Sequence, residues 1–88
     1  MIEIQTIRRI VEEKANLATP ADEVTLNSDL YRAGMKPFAA VQLMLALEKE
    51  FKIEFPRRML SRQNMSSLGT IRSCIEELQE KEALRKAA

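Results

Sequence analysis

The sequence predicts an all-α domain of four helices with a long first loop and a short third helix. Only two Gly and three Pro interrupt its 88 residues. Apolar residues recur at spacings of three and four, and β-branched residues nowhere alternate with polar ones over a long run. The 45% apolar and 31% charged content is that of a globular chain rather than a disordered one.

The first helix is predicted over about Gln5 to Asn16, where Ile7, Ile10, Val11 and Ala15 recur at helical spacing among Arg8, Arg9, Glu12 and Glu13. Leu17 leads into Thr19-Pro20-Ala21-Asp22, a cap residue followed by a proline that a first turn tolerates. That turn lies inside a connection reaching Met35, and about 20 structureless residues are unusual in so small a domain. Val24, Leu26, Leu30 and Tyr31 are therefore expected to tie it to the core.

The second helix is predicted from Pro37 to Phe51. Leu43, Leu47 and Phe51 fall at i, i+4 and i+8, one inward stripe facing Ile7, Ile10 and Val11 on one side and Ile71, Ile75 and Leu78 on the other. Phe38, Val41, Leu45 and Glu48 follow a neighbouring face, with Leu45 expected to be partly exposed. Glu54-Phe55-Pro56 breaks the chain, and Arg57 to Ser61 is predicted as the short third helix. Ser66 or Ser67 caps a last helix with the core stripe Leu68, Ile71, Ile75 and Leu78. From Lys81 onward a charged, alanine-rich tail is expected to fray. Residues 1–88 are expected to form one domain, without internal repeats.

Composition excludes several functions. Fourteen basic residues against thirteen acidic ones leave +1, which removes the electrostatic case for a nucleic-acid partner. Lack of histidine rules out His-dependent catalytic triads and His metal sites, and a single Cys rules out an internal disulfide and multi-cysteine zinc sites. Cys74, beside Ile71 and Ile75, is expected to be a small buried apolar residue. The opening Met1-Ile2-Glu3-Ile4 has no secretory pattern, and the apolar stretch Phe38 to Leu47 is about half a membrane span. A cytoplasmic monomer without a membrane span is the expectation. Phosphate loops, carboxylate clusters at metal spacing and nucleophile elbows are lacking, so no enzyme and no metal site are predicted.

The informative segment runs from Asp29-Leu30 through Gly34 and Lys36-Pro37-Phe38 into Val41-Gln42-Leu43-Met44-Leu45-Ala46-Leu47-Glu48-Lys49-Glu50-Phe51. Together with Lys52-Ile53-Glu54-Phe55-Pro56 and Met65-Ser66-Ser67-Leu68-Gly69-Thr70-Ile71, it resembles the acyl carrier protein family. The resemblance covers about Gln5 to Leu78 and implies a four-helix bundle of acyl-carrier-protein type. It implies a 4'-phosphopantetheine arm, joined by a phosphopantetheinyl transferase to the serine that opens the second helix. On that arm acyl or other thioester intermediates are presented to acyl-transferring or synthase enzymes, as in fatty acid or lipid biosynthesis.

Counting back from Phe51 puts the family's serine at Pro37, its acidic neighbour at Lys36 and its following leucine at Phe38. Proline has no hydroxyl to carry a phosphodiester. Pro37 suits a first helical turn, whereas Lys36 is a poor cap and places a cation at the positive end of the helix dipole. Ser28-Asp29-Leu30 lies too early to be a displaced attachment motif. The resemblance makes Lys36, Phe38, Val41, Leu45 and Glu48 the partner-binding positions; alternatively Phe38 and Val41 complete the core or line an acyl-sized cavity. The family's second helix is acidic and docks on basic patches, but here residues 34–62 hold six basic residues against three acidic ones. Two functions follow: an acyl carrier protein-like domain without its attachment serine, or a non-modified carrier-like protein acting as an interaction or regulatory module. A helix-turn-helix DNA-binding domain fits the balanced charge poorly.

Overall fold

Isoleucine and valine at spacings of three and four make α1 (Ile4–Lys14), which buries Ile7, Ile10 and Val11. The computed structural model describes residues 3–59 and 61–87; Met1, Ile2, Leu60 and Ala88 lie outside the described residues. After α1 come a 3₁₀ turn (Ala21–Glu23), α2 (Pro37–Phe51), two further 3₁₀ turns (Arg57–Met59 and Gln63–Met65) and α3 (Leu68–Ala87). Among the described residues there is no strand.

α1 stops at Lys14, two residues before the predicted end. Ala15 still donates to the Val11 carbonyl, but Asn16 turns left-handed at φ 52°, a conformation asparagine tolerates and that ends helices. α2 has the predicted bounds. Its Leu43 and Leu47 are fully buried with Ile7, Val11, Ile71 and Ile75, while Phe51 and Leu78 pack half-buried at the edge of that core.

The connection between α1 and α2 is stitched down mainly through its backbone. The Ala33 carbonyl accepts from Ala18 (2.8 Å) and Thr19 (3.2 Å), and Leu30 donates to the Ser66 carbonyl at 2.7 Å. Val24 and Leu30 are buried as predicted and Tyr31 is half-buried, but the Leu26 side chain is exposed. Leu26 contributes its carbonyl instead, accepting the Gly69 N–H at 3.0 Å. Gly34 adopts φ +116°, and a Cβ there would come within 2.7 Å of the Ala18 nitrogen. Both backbone geometry and space therefore require glycine.

The predicted third helix over Arg57–Ser61 is not a helix of that length. A 3₁₀ turn closes where Met59 donates to the Pro56 carbonyl at 2.9 Å, and a second turn follows at Gln63–Met65. Local side-chain bonds compete with helix continuation here. Asn64 Nδ2 donates to the Met59 carbonyl at 3.2 Å, and the Asn64 N–H donates to Ser61 Oγ at 3.3 Å.

Ser67 caps α3: the Thr70 N–H donates to Ser67 Oγ (3.2 Å) while the Ser67 N–H donates to Thr70 Oγ1 (3.1 Å). This reciprocal pair satisfies two backbone donors at the helix start. α3 continues through Ala87, past Lys81, where the sequence predicts a fraying tail. Its last turns are built from strong helix formers, with ion pairs from Lys81 to Glu77 (3.5 Å) and between Arg85 and Glu82. Arg58 also donates to Glu77 at 2.7 Å, holding that carboxyl below its usual range and joining α3 to the Arg57–Met59 turn. Cys74 is buried in the core, and that burial pushes its thiol pKa up.

Truncation of Leu47 to Ala is expected to cost about 2–5 kcal/mol by denaturant unfolding, with helicity retained in the absence of denaturant. Gly34→Ala is expected to lose more than about 1 kcal/mol in the same measurement. An unchanged midpoint for Gly34→Ala would show that the loop does not depend on that backbone angle.

Candidate functional site

The entry into α2 is set by the loop that precedes it. Gly34 donates to the Tyr31 carbonyl at 3.1 Å and Met35 to the Leu30 carbonyl at 2.9 Å, so the chain leaves this turn in a fixed direction. Lys36 is then extended (φ −94°, ψ 159°), the conformation imposed on a residue before proline. Pro37 is the first residue of the helix, and the Lys36 carbonyl accepts the Ala40 N–H at 2.9 Å. The side chain of Lys36 makes no capping hydrogen bond. Both residues are exposed.

Beside Pro37 runs a groove of about 360 Å³ walled by Tyr31, Ala40, Val41, Met44 and Met65. Ser61 and Arg62 close its far side. The Arg62 guanidinium lies 4.1 Å above the Tyr31 ring, a cation–π contact between the long loop and the segment before α3. Burial pushes the Tyr31 phenol pKa up, while Arg62 pulls it partly back and Asp29 adds to the rise. The Asp29 carboxylate accepts from the Tyr31 N–H at 2.9 Å, which sets the start of this turn.

The outer face of α2 exposes three large apolar side chains, with Gln42 among them. Phe38 is 75% exposed, Val41 46% and Leu45 51%. Phe38 does not complete the core, and Val41 both lines the groove and meets solvent. Glu48, predicted to act with Leu45, is half-buried and spends its carboxylate within the chain, accepting the Phe55 N–H at 2.8 Å. The helix thus brings Pro37, Phe38, Val41 and Leu45 together on one accessible surface and turns Glu48 toward the following loop. Spacing alone put Glu48 on that face. The carboxylate's bond to Phe55, seven residues on, has no periodic signal, and neither has the stacking of Arg62 on Tyr31.

Position 37 does not fit a phosphopantetheine arm, because the pyrrolidine ring offers no oxygen to esterify. The hydroxyls of Ser28, Ser61, Ser66 and Ser67 serve local structure. Ser28 Oγ accepts the Thr25 N–H at 2.9 Å, Ser66 donates to the Gln63 carbonyl at 2.6 Å, and Ser61 and Ser67 close the turns described above. Among the described residues no group of His, Cys, Asp and Glu could hold a metal ion, and no helix is long and apolar enough to cross a membrane.

Comparisons with known proteins agree with this architecture. The family described as "Phosphopantetheine attachment site" matches residues 5–77. An aminoacyl carrier protein from Agrobacterium fabrum is 42% identical over 71 residues, covering 81% of this chain and 86% of the relative. A carrier protein from Agrobacterium tumefaciens, solved in complex with an engineered glycine:[carrier protein] ligase from Bradyrhizobium japonicum and AMP, superposes with a TM-score of 0.81 at 40% identity, covering 84% of this chain and 99% of that one. The solution structure of ATC2521 from Agrobacterium tumefaciens gives a TM-score of 0.73 at 40% identity, covering 92% of this chain and 99% of that one. With the four-helix arrangement adjusted to three α-helices and 3₁₀ turns, and with the family match spanning most of the chain, the chain belongs to the acyl carrier protein family, whose members carry groups for enzymes and are not enzymes themselves.

Proposed function

We propose that this chain is a carrier-fold docking module that is not itself loaded. The observation that carries this reading is Pro37 as the exposed first residue of α2, the position that the sequence's resemblance to the family leads us to assign to the attachment serine. A phosphodiester needs an oxygen on the protein, and the ring supplies none. What remains is the surface by which carriers are recognised: the Lys36–Pro37–Phe38 corner and the exposed Val41 and Leu45. Glu48 sits at the margin of that surface and holds the loop after α2.

The class of enzyme that this surface meets is suggested by the relatives. The similarity to an aminoacyl carrier protein, and to a carrier solved with a glycine:[carrier protein] ligase, supports an amino acid:carrier ligase over the enzymes of fatty acid or lipid biosynthesis. Bound there without an arm, the chain occupies the carrier's place and delivers nothing. It regulates by occupancy. The arm-bearing reading would require a hydroxyl at the start of α2.

Two measurements test this. Incubated with coenzyme A and a broad-specificity phosphopantetheinyl transferase, the chain is expected to keep its intact mass. Pro37→Ser is expected to gain one arm with little change in stability, since both residues begin helices well, and adding Lys36→Asp should raise the modified fraction. An arm on the unaltered chain, at Ser28, Ser61 or any other serine, would return it to the carriers. In a reaction where a glycine:[carrier protein] ligase loads an arm-bearing carrier, added chain is expected to slow loading in proportion to its concentration. No slowing at a large excess of chain would remove the ligase as partner.

A further inference from the structure

Along α2 the charges are not distributed evenly between those that are used and those that are free. Both acids of the helix are engaged: Glu48 accepts the Phe55 N–H at 2.8 Å, and Glu50 pairs with Arg9 at 3.5 Å. Lys36, Lys49 and Lys52 are exposed, and none forms an ion pair among the described residues. Lys36 stands at the N-terminal end of the exposed apolar stripe. Lys49 continues the stripe beyond Leu45 at a spacing of four, so it stands at the other end. Lys52, the left-handed residue that ends the helix, lines a separate groove with Glu54 and with Leu78 and Arg85 of α3. Glu13, which shares a groove with Leu45 and Lys49, is paired with Arg9 at 3.0 Å.

Given the docking role proposed above, we infer that the Phe38–Val41–Leu45 face of α2 takes a protein partner whose contact is apolar at its centre and rimmed by Asp or Glu carboxylates. The uncapped start of the helix adds to the cationic character at the Lys36 end, because its orphan N–H groups and macrodipole favour anions. From Phe38 to Leu45 the stripe spans roughly 10 Å, the footprint of one helix or loop of a partner rather than of a lipid surface. A second copy fits badly. Antiparallel pairing that sets Phe38 against Leu45 brings Lys36 beside Lys49, and parallel pairing sets each lysine against itself. An apolar centre with a complementary charged rim is the usual build of a specific protein interface, and the rim charges govern partner choice and association rate.

Two helical peptides with one shared Leu and Phe stripe, flanked in one case by Glu and in the other by Lys, serve as probes. Titrated against the full chain by fluorescence anisotropy, the Glu-flanked peptide is expected to bind about tenfold tighter at low salt, with the gap narrowing as salt rises. Lys36→Glu with Lys49→Glu should reverse the preference, and Lys36→Gln with Lys49→Gln should erase it, with circular dichroism unchanged in both. Leu45→Gln should weaken both peptides. Equal binding, a preference for the Lys-flanked peptide, or binding of neither overturns the inference. So does a concentration-dependent dimer in sedimentation that Leu45→Gln dissolves, or binding to anionic vesicles without any peptide preference. A chain that discriminates between the peptides yet does not slow the ligase sinks the ligase reading alone. One that slows the ligase without discriminating sinks only the charge assignment.

Discussion

The closure of the long loop onto itself at Gly34 is the constraint from which the rest of the fold follows. With Ala18 and Thr19 both donating to the Ala33 carbonyl, the end of the connection is held against its beginning, and the space left at Gly34 admits no side chain. That contact decides where α2 begins and in which direction it leaves. The core then needs little more than α1 lying between two apolar stripes. Ile7, Ile10 and Val11 of α1 meet Leu43 and Leu47 from α2 and Ile71 and Ile75 from α3. For a chain of this length such a core is thin, so the backbone bonds that anchor the loop to Ser66 and Gly69 carry a substantial share of the tertiary order.

On the function proposed above, the site at the start of α2 separates two properties of a carrier that ordinarily occur together, a recognisable shape and a reactive oxygen. Shape survives here because the helix is begun by backbone geometry, with Lys36 extended and Pro37 already at a helical φ. Reactivity does not, because it resided in one atom. The apolar outer face and the lysines around it are consistent with a surface kept for contact rather than for chemistry. Glu48 bonds to Phe55, and Glu50 and Glu13 pair with Arg9, so Lys36 and Lys49 are the charges beside that surface without an ion pair among the described residues.

Much of this was legible in the sequence. The bounds of α2, its buried stripe and the exposure of Leu45 follow from periodicity, because those residues interact with whole faces rather than with single partners. Ser67 was legible as one of two candidate caps for the same reason, a local rule acting over three residues. What periodicity does not carry is the end of a helix decided by one residue's backbone preference, as at Asn16, or a turn closed by side-chain bonds, as at Asn64. At Lys81 to Ala87 the tendency of termini to fray competes with a run of good helix formers and their ion pairs, and the helix extends through Ala87. Within the site, Pro37 and Lys36 stand out only through the resemblance to a family pattern. The groove and the Arg62–Tyr31 contact depend on segments about thirty residues apart meeting in space, and nothing in either segment announces the other.

On the same proposal, because Pro37 is exposed in the first turn of α2, the step between a carrier and a non-carrier in this fold is a single exchange outside the core. Gene copies of a carrier can therefore cross that line in either direction without the core being touched. A surface shaped for a partner is then available for new use as soon as the oxygen is gone, and the oxygen can return without the surface having to be rebuilt.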